Sequence, residues 1–260
     1  MVLTPGETLT AVARWLAGVR GAIGFFTRLS VGFDDESWAA FQEAPTAFPI
    51  AGYAVGLLLA PALLLPFPDP TVAVVFVAWV YLLTGLNHAD GVADLGDAMG
   101  VHGDRKARID AMRDVSVGAG GVLLLTVVVG GLALAGVALA GVASRAVGIV
   151  VAAEAGAKLG IVALAGLLPA THEGLASGFT DRLEASSVAL PAVLSLPAAA
   201  LTFPHPAAAA ALVAGVAAAL ALGLWARSRL GGVSGDVLGA ANDVGRVVSL
   251  HAGVIAWTRL

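Results

Sequence analysis

One histidine and three aspartates stand close together in a sequence that is otherwise strongly apolar. They are His88, Asp90, Asp94 and Asp97, within GLNHADGVADLGDAMG at 85–100. The aspartates are spaced i, i+4 and i+7, so a helix with ~100° per residue would place them in one stripe. Oxygen ligands in a chain without cysteine suit Mg²⁺ or Mn²⁺ better than zinc. The stripe predicts a metal site, and the alternative is a solvated loop with ordinary surface carboxylates.

A glycine-rich turn followed by two aspartates forms a second candidate cluster. The segment RSRLGGVSGDVLGAANDVGR at 227–246 puts Asp236 and Asp243 at i and i+7 of one helix face. Glycine lets a backbone approach phosphate closely, and a helix N-terminus favours an anion. The residues predicted to contact phosphate are Gly231, Gly232, Ser234 and Arg246. Two alternatives stay open: Asp236 is only the N-terminal cap of a helix, and Arg246 only neutralises Asp243.

Two further segments have both a structural and a functional interpretation. Glu154 and Lys158 are spaced i, i+4, in the order that stabilises a helix through an ion pair. A substrate contact by Lys158 is the alternative. FPIAGYAVG at 48–56 carries Gly52 and Gly56, and small residues at this spacing let two membrane helices pack closely. A substrate role is the alternative for this segment too.

The whole sequence has the composition of a membrane protein. Of its 260 residues 58% are hydrophobic and 12% charged, and the mean hydropathy is +0.91, whereas soluble domains carry about a quarter charged residues. Apolar runs long enough to cross a bilayer occur at 48–66, 70–87, 118–140, 142–168, 188–203, 206–226 and 236–258. They predict an all-α polytopic membrane bundle of about seven transmembrane helices. We expect a single integral membrane domain over 1–260, with an amphipathic helix at its N-terminus.

The charges give an orientation and exclude some partners. One set of connections between the predicted spans carries nearly all of the cations: Arg14, Arg20, Arg28, Arg105, Lys106, Arg108, Arg113, Arg182, Arg227 and Arg229. The other set, near 66–70, 140–142 and 203–206, is poor in them. This asymmetry predicts a multi-pass plasma-membrane protein whose N-terminus and active face are cytoplasmic. A net charge of −4 gives no indication of a nucleic-acid partner.

The segment TGLNHADGVADLGDAMG, followed by MRDVSVGAGGV, resembles the signature of the cobalamin synthase family, also called adenosylcobinamide-GDP ribazoletransferases. The matching positions are His88, Asp90, Gly91, Ala93, Asp94, Asp97, Met112, Arg113, Asp114, Gly118 and Gly121. Segments at 25–31, 48–56, 157–179 and 231–240 also fall in the family's order. The resemblance therefore covers nearly the whole chain. Asp243 and Lys158 depart from it, because the family more often has glutamate and arginine there.

The resemblance implies the last assembly step of the cobalamin nucleotide loop. A ribose hydroxyl of α-ribazole, or of its 5′-phosphate, attacks the diphosphate of adenosylcobinamide-GDP, and GMP leaves. It implies Mg²⁺ held by Asp90, Asp94, Asp97, Asp236 and Asp243, and substrate contacts at Arg113, Asp114, Lys158, Gly231, Gly232, Ser234 and Arg246. The catalytic residues would be His88, Asp90, Asp94 and Asp97, with His88 or one aspartate accepting the hydroxyl proton. The number of metal ions stays open, as does association with other cobalamin-assembly enzymes or with a second copy.

Two other functions compete with this one. CDP-alcohol phosphotransferases also use aspartate-bound metal at a membrane face, but their Asp-Gly is followed two residues later by Ala-Arg, whereas here Ala93-Asp94 follows. An ion-coupled transporter would have charges in the middle of several spans and an internal repeat. Here most acids gather at one predicted face and the sequence has no evident repeat. Both alternatives are therefore weaker than the transferase.

Overall fold

The computed structural model describes residues 5–260, with side chains for 6–142 and 145–260, and this part of the chain is helical. Its α-helices are α1 Pro5–Phe26, α2 Asp35–Gln42, α3 Ala47–Leu59, α4 Asp69–Thr84, α5 Asn87–Gly100, α6 Arg105–Met112, α7 Ala119–Ala140, α8 Ala143–Leu167, α9 Leu175–Thr180, α10 Ala189–Ala199, α11 Ala207–Arg229 and α12 Gly235–Arg259. Short 3₁₀ helices occupy Ala60–Leu64 and Ala185–Val188. The predicted all-α fold is confirmed.

The predicted count of seven spans is not confirmed. Within the described residues, four helical segments are long and apolar enough to cross a membrane: Ala47–Leu64, Ala119–Ala140, Arg145–Leu167 and Ala207–Arg229. Helices α4 and α5 would together make a fifth, but the chain bends by 100° between them. Gly85 makes this turn with a φ of 79°, in the left-handed region that favours glycine. The helix formed by the apolar run at 70–87 therefore ends at Thr84, before the run does.

Helices α10 and α12 account for the other two predicted spans. Helix α10 has 11 residues, or roughly 16 Å, which is too short for a hydrocarbon core of about 30 Å. Helix α12 has 25 residues and is long enough, but polar residues such as Asn242, Asp243 and Arg246 lower its hydropathy. These side chains are buried inside the protein. A sequence window cannot distinguish such a helix from one that faces lipid.

Helix α8 forms the centre of the bundle and packs against α3, α10, α11 and α12. Its approach to α3 depends on a missing side chain, because a Cβ atom on Gly52 would lie 2.8 Å from the Cα atom of Ala155. The close-packing interpretation of the 48–56 segment is therefore confirmed. The apolar core gathers around this helix and includes Phe26, Phe48 and Phe76.

The two ends of the bundle differ in their charges and connections. At one end, the loop after α8 meets the turn between α11 and α12: Thr171 N–H donates to the Val233 carbonyl, and Val233 N–H donates to the Pro169 carbonyl, both at 2.9 Å. At the other end, the Arg145 guanidinium lies 5.3 Å from the Trp257 ring centre. Most of the cationic loops named above belong to the first end.

Helix α1 confirms a helix at the N-terminus. Arg14 pairs with Glu43 and Arg20 pairs with Asp34 of the neighbouring α2 region. Apolar side chains on its early turns, among them Leu9, Val12 and Leu16, are exposed. This surface has the character expected of an interfacial helix, and its contact with lipid stays a prediction.

Candidate active site

The two acidic motifs meet where α5 crosses α12. A Cβ atom on Gly91 would lie 2.6 Å from the carbonyl oxygen of Asp236, and one on Gly239 would lie 3.3 Å from the Cα atom of His88. The two helices are therefore in close contact at two points: a Cβ atom at Gly91 would force a shift, and one at Gly239 would be tightly packed. This contact joins the 85–100 motif to the glycine turn, as their predicted position at one end of the bundle requires.

Three aspartates lie around this crossing. Asp90 and Asp236 line the same cavity, and Asp94 lies further along α5, half-buried and outside the four candidate spans. Burial and the charges of Asp236, Asp90 and Asp97 raise the pKa of Asp94 to about 6. Negative charge is thus concentrated here, as the predicted helical stripe requires. Nevertheless, no three histidine or acidic side chains among the described residues are gathered closely enough to hold a metal ion.

Asp97 has a different position from the one expected of a metal ligand. Its two carboxylate oxygens accept hydrogen bonds from the backbone N–H groups of Gly118 at 2.7 Å and Gly121 at 2.8 Å. These N–H groups belong to the start of α7, where they have no partner within the helix. Asp97 therefore caps α7 and attaches it to α5.

Asp243 belongs to a buried cluster of charges between α8 and α12. Arg246 donates from Nη1 to Asp243 Oδ1 at 2.6 Å, and its Nε atom pairs with Glu154. Lys158 also pairs with Glu154. These four side chains are at most 3% exposed and their formal charges cancel. The contacts support the ion-pair interpretations of Lys158 and Arg246, because neither cation reaches a surface where phosphate could bind, and Asp243 is occupied by Arg246.

A hydrogen bond from Asn242 fixes the tautomer of the neutral His88 ring. The Asn242 amide nitrogen lies 3.1 Å from Asp243 Oδ1 and 3.0 Å from His88 Nδ1. A carboxylate oxygen only accepts, so the amide atom beside it must be the nitrogen, which then donates to His88 as well. Nδ1 is therefore an acceptor, and the neutral ring carries its proton on Nε2. This geometry favours a hydrogen-bond donor over the predicted general base.

Backbone conformation and close packing explain why the turn at 231–235 contains glycines. Gly231 has a φ of 92° and lies against the Arg105 guanidinium, and a Cβ atom on Gly232 would lie 2.2 Å from the Pro169 carbonyl oxygen. Ser234, not Asp236, is the N-terminal cap of α12, because its hydroxyl accepts from the Val237 N–H. Phosphate binding by the turn stays a prediction, since close backbone packing already explains Gly232.

Arg113 and Asp114 lie on the connection between α6 and α7. Arg113 lines a small cavity of about 60 Å³ together with Ser234 and Asp236. Asp114 is exposed and accepts from the Ser116 N–H at 2.9 Å, and hydrogen bonds from Ser116 hold the pKa of Asp114 below its ordinary value. The small cavity also includes His172, whose place in the sequence gave no indication of a site. Arg113 and Ser234 are thus predicted substrate contacts that the structure brings together beside the crossing.

Asp236 also lines a larger cavity beside the crossing, of about 280 Å³, which we call the main cavity of the site. Its polar wall includes His88, Asp90 and Asp236. Its apolar wall includes four aromatic side chains, Phe25, Phe26, Phe48 and Phe179. These come from α1, α3 and α9, and no spacing rule connects segments so far apart in sequence. Only the resemblance of 25–31 and 48–56 to family segments pointed to their neighbourhood.

Comparisons with known proteins identify the family. The cobalamin-5-phosphate synthase family matches residues 18–254. The adenosylcobinamide-GDP ribazoletransferase of Halorubrum lacusprofundi is 50% identical over 94% of this chain and 99% of its own length. Those of Haloquadratum walsbyi and Methanocella arvoryzae are 38% and 31% identical, over 93% and 94% of this chain and 98% of their own lengths. No solved structure matches. From the family match and these long alignments, the chain belongs to the cobalamin-5-phosphate synthase family.

Proposed function

We propose that this chain is an adenosylcobinamide-GDP ribazoletransferase. Relatives with that name align with this chain over nearly their whole lengths. The observation that carries the proposal is the α5–α12 crossing, where two distant motifs meet, Asp90 and Asp236 line one cavity, and Asp94 lies close enough for their charges to raise its pKa. Family membership favours this activity over a CDP-alcohol phosphotransferase and over an ion-coupled transporter.

The reaction joins a ribose hydroxyl of α-ribazole, or of its 5′-phosphate, to the corrinoid phosphate of adenosylcobinamide-GDP. The hydroxyl oxygen forms a bond to that phosphorus, and the phosphorus bond to the bridging oxygen breaks. GMP takes the bridging oxygen with it, and the hydroxyl proton passes to a base. Such transfers depend mainly on positioning and on stabilising negative charge.

Asp90, Asp94 and Asp236 are the side chains that would hold Mg²⁺ at this edge. Their carboxylate oxygens are the donor type that a hard cation prefers. They are not gathered closely enough in this structure to hold an ion, so binding would require them to move together. When bound, the ion would neutralise negative charge on the diphosphate and on the leaving GMP. Asp97 keeps α5 fixed to α7, so that the stripe keeps its position.

The chain's other polar groups divide the remaining work. Asp90 and Asp236 line the main cavity and are the candidates to accept the hydroxyl proton, since Nδ1 of His88 is engaged and its Nε2 carries a proton. Arg113, beside Ser234 and Asp236, contacts the phosphates of the donor.

The protein would lie in the plasma membrane with this end in the cytoplasm. Several apolar helices are long enough to cross a bilayer, and the cationic loops near 105–113 and 227–229 belong to the end that carries the aspartates. Cytoplasmic loops carry an excess of lysine and arginine. Both substrates would reach the site from the aqueous side.

The proposal is tested by release of GMP from adenosylcobinamide-GDP and α-ribazole, using full-length protein in lipid nanodiscs. We expect formation of GMP and of the corrinoid product in equal amounts with Mg²⁺, and loss of both with a chelator. α-Ribazole and its 5′-phosphate are compared as acceptors in the same assay. Absence of turnover by folded, Mg²⁺-supplied protein with either acceptor would overturn the proposal.

Gly91→Ala is expected to lower turnover by about 10-fold or more, because displacement of reacting groups by ~1 Å has large effects on rate. The new Cβ atom meets the Asp236 carbonyl at 2.6 Å, so α5 must move away from α12. The matched control is Gly130→Ala in α7, whose Cβ atom meets nothing within 4 Å. The control should keep its activity within about twofold, since alanine is only a better helix former there. Equal activity in both variants would show that the close approach is dispensable.

A further inference from the structure

The main cavity has a lining suited to an aromatic ring. Four phenyl rings line it, and Phe26, Phe48 and Phe179 lie in one aromatic cluster with Phe41. Phenyl rings favour aromatic partners in stacked or edge-on contact. At about 280 Å³ the cavity is near the small end of ligand pockets, which measure roughly 300–1,000 Å³. A corrinoid macrocycle is too large for it.

His88 supplies a single hydrogen-bond donor to this cavity. Asn242 occupies Nδ1 at 3.0 Å, and Nε2 has no hydrogen-bond partner among residues 5–260. Asn242 is itself fully buried, so its orientation is maintained by the protein. A neutral Nε2–H donor recognises an acceptor atom on a ligand, such as a ring nitrogen or a ribose oxygen.

The carboxylates stand at one edge of the same cavity. Asp90 and Asp236 line it together with Gly235 and Gly239 at the start of α12. A sugar attached to a ring in the cavity would place its hydroxyls beside these acceptors. The phenyl rings would contact the base of a nucleoside, the Nε2–H of His88 would donate to an acceptor atom on it, and the carboxylates would lie beside the ribose hydroxyls.

We propose that this cavity binds the planar, uncharged aromatic base of the ribonucleoside acceptor, with His88 donating from Nε2 and the ribose directed towards Asp90 and Asp236. The inference rests on the proposed function for the identity of the acceptor. The lining also includes Thr84 and Asn87, so the guanine base of the donor is the competing occupant, and the experiment below includes GDP to distinguish the two. With the acceptor base in the cavity, the donor binds outside it, where Arg113 lies.

The inference is tested with a larger side chain at a partly exposed position of the cavity lining. Leu175 lines the cavity and is 40% exposed, so Leu175→Trp adds volume without disturbing the core. The matched control is Leu224→Trp on α11, at a leucine that is 65% exposed and outside the cavity. Binding of α-ribazole is measured by calorimetry on full-length protein in nanodiscs without the corrinoid substrate. We expect Leu175→Trp to raise the Kd and KM for α-ribazole at least 10-fold, with the KM for adenosylcobinamide-GDP within twofold of the parent.

His88 gives a second, independent readout. His88→Gln keeps an N–H donor and should hold the Kd for α-ribazole within about threefold, whereas His88→Leu should raise it about 10-fold, the equivalent of one lost hydrogen bond of roughly 1.4 kcal/mol. If His88→Gln is as weak a binder as His88→Leu, the donor role is wrong.

The outcomes separate this site from the activity. If α-ribazole binds and Leu175→Trp prevents binding, but no GMP forms, the site stands and the transferase proposal fails. If GMP forms and Leu175→Trp leaves the Kd for α-ribazole unchanged, the site fails and the transferase stands. Competition by GDP for the α-ribazole site, weakened by Leu175→Trp, would assign the cavity to the guanine base and overturn the inference.

Discussion

Asp94→Asn is expected to lower the rate of GMP release by about 100-fold or more at saturating substrates, the usual scale for losing a catalytic charge. Asp94 is affected by the charges of Asp236, Asp90 and Asp97, and under the proposed function its carboxylate is one of the ligands of the divalent cation. Asparagine keeps the shape and one oxygen but removes the charge. The measurement is the GMP assay, together with a titration of Mg²⁺ to find the concentration that gives half-maximal rate.

Stability and pH distinguish a lost ligand from a damaged fold. The pKa of Asp94 in the folded protein, about 6, lies above its ordinary value of 3.8, so ionisation of this carboxyl as the pH rises between these values destabilises the protein without metal. Asp94→Asn cannot ionise, and at pH 7 without Mg²⁺ it should unfold at the same temperature as the parent or higher. In the parent, protons compete with Mg²⁺, and affinity should fall as pH decreases from 7 to 5. Asp35→Asn, at an exposed carboxylate of α2, is the matched control and should keep full activity.

Arg246→Met is expected to destabilise the protein by ~3–5 kcal/mol, the range for removing one partner of a buried ion pair. Arg246 is 1% exposed and pairs with both Glu154 and Asp243. Without it, two buried carboxylates remain with Lys158 as the sole cation of the cluster. Unfolding is followed by helical circular dichroism against denaturant.

A second substitution tests whether charge balance is the cause. Adding Asp243→Asn to Arg246→Met leaves Glu154 with Lys158, a neutral pair, and should recover a large part of the lost stability. Arg14→Met breaks only an exposed pair with Glu43 and should cost no more than about 1 kcal/mol. A loss below 1 kcal/mol for Arg246→Met would contradict the role of this cluster.

Local spacing predicted the parts of the site that one helix determines. The i, i+4, i+7 pattern of Asp90, Asp94 and Asp97 predicted a helix and a shared stripe, and α5 has both. The separate role of Asp97 could not be predicted, because nothing in the sequence shows that Gly118 and Gly121 face it, where their N–H groups donate to its carboxylate and a Cβ atom would lie within 2.8 Å of a carboxylate oxygen. The same holds for Gly232, whose closest contact is a carbonyl oxygen.

Contacts between distant segments were the main features of the site that the sequence did not predict. The aromatic wall combines Phe25 of α1 with Phe179 of α9, and neither residue has neighbours that indicate a cavity. The predicted number of spans is not confirmed for a related reason: hydropathy measures how apolar a segment is, but not whether its polar side chains face lipid or protein. Asp243 and Arg246 lower the hydropathy of α12, yet they neutralise each other inside the bundle.

The pair of hydrogen bonds between the 169–171 loop and Val233 makes two parts of the site mechanically one. The loop leads to His172, and Val233 lies three residues before Asp236. Unless both bonds break, a movement of the loop also moves Val233 and, through the start of α12, displaces Asp236 relative to Asp90 and Asp94. Movement of the segment that leads to His172 and rearrangement of the carboxylates would then be one event.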